Sequence, residues 1–484
     1  MALLCVSSQA AASGFYFGDN GAKALVQGGA FTAQADDASA MQYNPAGFAQ
    51  QKGFRFLLDG ELLSHSVTFL RQDNGFNPDE PSTLINTVEN KGGGFILPMV
   101  GASYGLAVGP RTITFALGAY GPPAVGRYQF PEPNYTERGP SGALTPDPRR
   151  TSPQRYTLIS NDILIYYPTL SVAIDVHPQF MVGASFQLVG SHFVLKQALY
   201  SGLNNPNRLL DEDPSYDAVV KVDLTGRLGF TGVLGVLYKP LSWLALGASV
   251  RPPVAIHASG SMKLTLSDTL SSLAKVTGDQ ADFDLTLPLE IRVGARFTPI
   301  EKLGVNVDFV YMGWQSVDAF LLTPKDVFLT TGMGEPQAIA PLRIPRNWRA
   351  TYSGRVGASY DLMKWVTVHA GAMYETGAAR DQNYAADFAH PERLFLTAGL
   401  TGHFGPIDVV AGFAGSPSVS KAVVESDVRR AQADTTVTAG VVGAGLYTSG
   451  GYTATVGLRG SFDFSSHRVE SSVILEPGPG AVSK

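Results

Sequence analysis

A single cysteine, Cys5, in 484 residues excludes a disulfide framework and any Cys-based zinc site. The eight histidines are scattered and form no His-Glu-x-x-His pattern, so the sequence assigns no metal ligands. Charged residues make up 16 % of the chain, against about 25 % in an average soluble protein. So little charge excludes a disordered or supercharged chain. A net charge of −5 offers nothing to nucleic acid. No uninterrupted run of about 20 apolar residues occurs, so no transmembrane helix is encoded. What is abundant is glycine, 53 residues, together with 26 Phe and 19 Tyr. A large, weakly hydrophobic, aromatic-rich chain fits a membrane β-barrel, where half of each strand meets lipid and half a polar lumen.

The apolar residues repeat with period 2. Val220, Val222, Leu224, Gly226, Leu228 and Phe230 alternate with Lys221, Asp223, Thr225, Arg227 and Gly229. Ile291, Val293, Ala295 and Phe297 alternate with Arg292, Gly294 and Arg296, and Val305 to Tyr311 alternate with Asn306 and Asp308. Val366 to Tyr374 and Ala454 to Phe464 continue the pattern. One apolar and one polar face suit a barrel or a soluble sandwich equally. The connections discriminate. Short turns fall at Gly109-Pro110, His177-Pro178, Lys239-Pro240, Pro299-Ile300, Asp361-Leu362 and Gly405-Pro406. Long polar segments separate them: Arg71–Gly94, Gly121–Gln154, Ser201–Ser215, Ser267–Asp279, Leu321–Pro345, Ala379–Pro391 and Gly415–Gly450. One more long loop than short turns gives an all-β transmembrane antiparallel barrel of about 14 strands with both termini inside.

The division expected from this reading is 1–12 a secretory signal, 13–52 a compact plug, 53–464 the barrel and 465–484 a disordered tail. Ala10-Ala11-Ala12 fits the small-residue cleavage rule, although a basic leader segment is missing. Cys5 would leave with that signal. The segment Gly14–Gly53 is rich in Ala, Gly and Asp and lacks strand periodicity.

Ser13-Gly14-Phe15, Gly28-Gly29-Ala30-Phe31, Ala35-Asp36-Asp37-Ala38 and Asn44-Pro45-Ala46-Gly47 occur in an order that resembles the FadL/TodX-type family of outer-membrane transporters for long-chain fatty acids and other hydrophobic compounds. Leu287-Pro288 running into Arg292-Val293-Gly294, the Asp308–Trp314 stretch, Asn347-Trp348 and Ala389-His390-Pro391 extend the resemblance. It implies a 14-stranded barrel with the N-terminal plug as a hatch in the lumen. It also implies a passive, non-enzymatic transporter without cofactor or metal in the bacterial outer membrane. Its partners would be fatty acids or hydrocarbons and the surrounding lipid and lipopolysaccharide, and it would act as a monomer. The chain departs from the family in the tail after Phe464 and in the Pro-rich segment Gly121–Gln154.

By the same resemblance, Phe15, Asn44, Pro45 and Ala46 are candidate ligand-binding residues of the hatch. The alternative for Asn44-Pro45-Ala46 is a rigid structural turn, since Pro fixes φ and Asn satisfies loop backbone groups. The third strand, Thr112–Tyr120, runs into Gly121-Pro122-Pro123. Gly118, Gly121 and Pro122 are therefore candidates for a lateral gate, with a plain strand end as the alternative. For a carboxylate, Lys221, Arg227, Arg292, Arg296, Arg349 and Arg355 are candidate lumen cations, with interior ion-pair networks as the alternative. Asp223, Asp308 and Glu375 are candidates for the same side. Gly101-Ala102-Ser103-Tyr104-Gly105 matches a nucleophile pattern but sits in a β segment with no helix after it. Asp211-Glu212-Asp213 reads as a solvated acidic loop. Gly92-Gly93-Gly94 reads as a flexible loop rather than a phosphate cradle, for no Lys-Ser/Thr follows. The competing functions are a structural or adhesive barrel and a lipid hydrolase; the plug argues against the first, and no Ser/His/acid set supports the second.

Overall fold

The computed structural model describes residues 19–72, 87–121, 127–133, 152–201, 216–389, 392–432 and 439–463. Among them, 14 strands form one closed antiparallel ring. These are β1 (Gly53–Arg71), β2 (Phe95–Val108), β3 (Arg111–Tyr120), β4 (Ser160–His177), β5 (Phe180–Tyr200), β6 (Gly229–Leu241) and β7 (Leu244–Arg251). They continue as β8 (Glu290–Ile300), β9 (Leu303–Met312), β10 (Thr351–Met363), β11 (Val366–Glu375), β12 (Arg393–Phe404), β13 (Ile407–Val423) and β14 (Gly445–Phe462). β14 closes on β1 from Phe54↔Phe462 to Arg71↔Gly445. Closure leaves no unpaired edge, which lipid would not tolerate. No helix among the described residues is long and apolar enough to cross a membrane.

The chain reverses at Gly109-Pro110, just after His177, and at Gly405-Pro406, as the turn chemistry predicts. The other three reversals fall at Ser242-Trp243, Glu301-Lys302 and Lys364-Trp365, two or three residues beyond the signals in the sequence. There the strand ends absorb Pro240, Pro299 and Asp361, with register shifts at Leu244/Leu246, Phe297/Ile300 and Asp361/Met363. A bulge frees the backbone position that proline cannot fill.

A belt of interruptions crosses half of the barrel. The β4–β5 ladder is interrupted at Tyr167 and Pro168, with the same register on either side. Strand breaks follow at Arg227-Leu228, Pro252-Pro253, Pro288-Leu289, Gly313–Asp318 and Arg346–Ala350. Above the belt, the upper parts of β4 and β5 pair on through Asp217–Gly226, Val254–Leu266, Gln280–Leu287, Ala319–Lys325 and Leu342–Pro345. Polarity inverts across this belt. Below it, Leu246, Ile291, Val293, Val307 and Phe309 face outward, while Ser249, Arg292, Asn306 and Asp308 face the lumen. Above it, Val220, Val222, Leu224, Ile256, Phe283 and Leu285 are buried inside. Lys221, Asp223, His257 and Asp284 are exposed outside. The continuous apolar face expected from Val220 to Phe230 is therefore two faces. Leu224 points in and Phe230, 73 % exposed, points out. The cause is the solvent: beyond the bilayer the outer wall meets water, so the polar face turns outward.

Candidate functional site

Residues 19–52 fill the lower lumen. They fold as two single-turn helices, Ala22–Leu25 and Ala40–Tyr43, and a 3₁₀ helix, Pro45–Gln50. Asn44 fixes the last turn. Its Oδ1 accepts the Ala46 N–H at 3.2 Å, while its Nδ2 donates to the carbonyls of Thr32 and of Val236 in β6, both at 2.9 Å. Pro45 occupies the first helical position, where a missing N–H costs nothing. The wall makes room for this turn with glycine. A Cβ on Gly235 would lie 2.1 Å from Asn44 Oδ1. Asn44, Pro45 and Ala46 are all buried between hatch and wall.

The hatch is fastened by buried charge on several sides. Asp308 Oδ2 accepts the N–H groups of Phe31 and Thr32, each at 2.8 Å. Asp59 accepts the Ala22 N–H at 2.7 Å. Arg459 bridges Asp37 at 2.7 Å and Asp59 at 3.0 Å. Asp19 is held by Arg355 and, at 3.3 Å, by Arg292; Glu290 binds both Arg292 and Arg251. Arg296 donates to Gln34. Arg292, Arg296 and Arg355 thus face the lumen and engage hatch residues. Arg349 donates to the Gly377 carbonyl at 3.3 Å in the break before β10. Arg227 is exposed at its own break, and Lys221 and Asp223 lie on the outer face, so the lumen placement read from alternation fails for these three. Asp223 pairs there with His192 at 2.9 Å. Glu375 pairs with Arg393 at 2.9 Å inside the wall. Asp19, Asp59, Glu290 and Arg459 complete the lock and were not distinguishable from other polar lumen positions by sequence. Arg459 stands on the polar face of a clean alternation, which was the available signal.

Above the hatch lies an apolar pocket. Ile163, Phe193, Leu195, Val220, Val222, Phe283, Phe320, Leu322, Leu342, Ile344 and Phe388 line it, with Asn161, Gln197 and the Arg346–Asp387 pair. The space open to the centre of a water-sized sphere is about 60 Å³. A cavity of about 150 Å³ takes benzene, so side chains must yield to admit a ring. Edge-to-face contacts order the aromatic wall: Phe283–Phe320 at 5.9 Å, Phe320–Phe388 at 5.7 Å and Trp348–Phe388 at 5.6 Å. No local pattern marks this pocket, because its residues come from separate strands above the belt.

Below the hatch the lumen changes character. A cavity of about 620 Å³ is lined by Lys23, Asp36, Arg296, Glu301, Lys302, Asp361, Lys364, His403, Asp408 and Arg459 among others. One hydrogen-bonded chain there joins Asp408, His403, Thr367 and Asp361 at 2.7, 2.8 and 2.6 Å. Its Thr367 hydroxyl donates to Asp361, so it is not poised as a nucleophile. Ser103 of the nucleophile-like pattern donates to Gln51 of the hatch at 2.5 Å and bonds no histidine among the described residues.

Both ladders of β3 are continuous past Gly118, from Val108↔Arg111 to Met99↔Tyr120 on one side and to Tyr120↔Tyr167 on the other. A Cβ on Gly118 would lie 2.3 Å from the Met41 methyl of the hatch. The Gly121 carbonyl accepts from Asn20 Nδ2, and the Asn20 carbonyl accepts from the Tyr43 hydroxyl at 2.7 Å. Hatch and third strand are therefore directly joined. Phe15, Pro122, Pro123, His390, Pro391, Phe464, the segment Asp211-Glu212-Asp213 and the expected leader and tail lie outside the described residues.

Residues 152–449 match the sequence pattern of the family described as outer membrane protein transport protein (OMPP1/FadL/TodX). The chain belongs to this family. Family membership places it in the outer membrane, among transporters of hydrophobic compounds rather than enzymes. Outer membrane protein P1 of Haemophilus influenzae is 27 % identical over 214 residues, 43 % of either chain. The match thus spans less than half of that relative's length. Among solved structures, a Pseudomonas aeruginosa FadL homologue superposes with a TM-score of 0.70 at 16 % identity, covering 93 % of this chain and 100 % of that one. The Ralstonia pickettii toluene transporter TbuX gives 0.61 at 16 % identity over 92 % and 98 %. The Pseudomonas putida toluene transporter TodX gives 0.62 at 13 % identity over 93 % and 100 %. These likenesses concern the fold.

Proposed function

We propose that the protein takes up long-chain fatty acids or similarly hydrophobic molecules passively, as a monomer, capturing them in the upper pocket. The hatch, assigned to residues 13–52, gates the path, and the cargo leaves sideways into the membrane from the barrel, assigned to 53–464. The observation that carries this reading is the polarity profile along the lumen. An apolar pocket lies above the hatch and a charged cavity below it. Apolar surface leaves water with roughly 25 cal/mol per Å², so an apolar cargo favours the upper pocket and is opposed by the lower cavity. A side exit avoids that cavity. The joint of Asn20 to Gly121 and of Met41 to Gly118 gives the hatch a direct hold on the third strand, so displacing one loosens the other. Phe15 and Pro122 belong to this reading as ligand contact and gate border. A self-closed ring needs no second copy to protect an edge.

Strand separation is testable from outside the barrel. Val100 and Ala119 sit directly opposite in β2 and β3. A V100C/A119C pair in a C5S background would tie the strands once oxidised, since opposed residues lie about 4.5–5.5 Å apart, within disulfide reach. Uptake of radiolabelled oleate or toluene should fall on oxidation and return on reduction. Uptake indifferent to the crosslink would sink the sideways exit, and absence of any uptake or bound hydrophobic molecule would favour an adhesive barrel.

A further inference from the structure

We propose that the upper pocket selects uncharged hydrophobic molecules bearing a hydrogen-bond acceptor, such as ketones, over plain hydrocarbons and over ionised carboxylates. The inference rests on reading that pocket as the capture site and narrows its cargo from fatty-acid anions to uncharged hydrophobic molecules. Two buried donors among its lining residues have no partner among the described residues: Asn161 Nδ2 and Arg346 Nε. Asn161 is 3 % exposed and Arg346 4 %. Asn161 Oδ1 accepts the Tyr128 N–H at 2.8 Å. That bond fixes the amide's orientation and leaves the Nδ2 hydrogens to donate. Both terminal nitrogens of Arg346 bond Asp387, one at 3.1 Å, and its guanidinium lies over Phe320 at 4.5 Å. Its charge is already matched, and Nε remains.

A buried donor without an acceptor raises the energy of its surroundings, and a ligand acceptor relieves it. A hydrocarbon fills the same space and leaves both donors unmet. An ionised carboxylate loses its hydration and meets Asp387 with no uncompensated cation to offset the loss. Asn161 and Arg346 are therefore specificity residues. One neutral hydrogen bond corresponds to about tenfold in affinity.

The test compares acetophenone, ethylbenzene and benzoate, which share one ring. Full-length protein in lipid nanodiscs would be titrated calorimetrically, with each compound's partition into protein-free nanodiscs subtracted. Acetophenone should bind about tenfold tighter than ethylbenzene, and benzoate weakest. In N161L and R346K the ketone-to-hydrocarbon ratio should move towards one; R346K keeps the charge facing Asp387, and it decides the matter if N161L does not fold. Equal binding of ketone and hydrocarbon by the native protein would overturn the acceptor preference and leave hydrophobic capture standing. Tight benzoate binding would overturn the preference for uncharged cargo. No binding of any of the three would overturn the capture site itself.

Discussion

Replacing Asn44 with alanine should unlatch the hatch without unfolding the barrel. Asn44 makes three hydrogen bonds, to Thr32, Val236 and Ala46, at 2.9, 2.9 and 3.2 Å, and it is fully buried. Each neutral bond contributes about 0.5–1.5 kcal/mol net, so together they hold the docked turn by about 3 kcal/mol. At about 1.4 kcal/mol per decade, local opening becomes roughly a hundredfold more frequent. Amide hydrogen exchange in nanodiscs reads this directly. Peptides spanning 30–50 should exchange about a hundredfold faster, while β8 to β14 keep their protection. Asn44→Asp preserves the Oδ1 bond to Ala46 but turns a buried carboxylate oxygen towards the Thr32 and Val236 carbonyls, so it should open the hatch at least as often as alanine. Unchanged hatch exchange in Asn44→Ala would refute the latch, and equal acceleration of the ring strands would show that the turn supports the whole barrel.

Gly235→Val should act from the wall side, since its Cβ meets Asn44 Oδ1 at 2.1 Å; planar-bilayer conductance should show hatch openings that native protein lacks. Arg355→Met leaves Asp19 with Arg292 as its one remaining cation among the described residues, and breaking a buried pair costs about 3–5 kcal/mol. Faster exchange near Asp19 would confirm it, and native exchange would show the pair idle. Phe283→Ala widens the upper pocket at a cost of about 3–5 kcal/mol in stability. Ligands larger than one ring should then bind tighter, measured by the same calorimetry, although the melting temperature drops. Leu322→Arg places an unmatched charge among the pocket's aromatics and should reduce ligand affinity more than tenfold.

The ring was legible because lipid imposes a strict rule. Every spanning strand must be paired and must alternate, so turn and loop counting reached the observed 14 strands. The hatch was legible for the opposite reason, a compositional break before Gly53. What sequence periodicity could not report was which solvent each face meets. Val220 to Leu224 and Leu228 to Phe230 form one unbroken alternation on paper, yet the strand break at Arg227-Leu228 turns it over. A slip between faces is invisible to a period-2 pattern, whereas each side chain's environment reverses. Prolines at 252, 253 and 288 were the local trace of the belt, where the strands stop, and Pro168 marks it on β4 by lacking a partner in β5 while it keeps Ala119 in β3. The upper pocket follows from that belt. Strands that kept the membrane polarity above the bilayer would turn their charges inward and their aromatics to water. Breaking each strand at the same height lets the lumen be polar around the hatch and apolar above it. The proposed sideways route needs this order: an apolar surface where the cargo would arrive and a polar barrier where it would not continue.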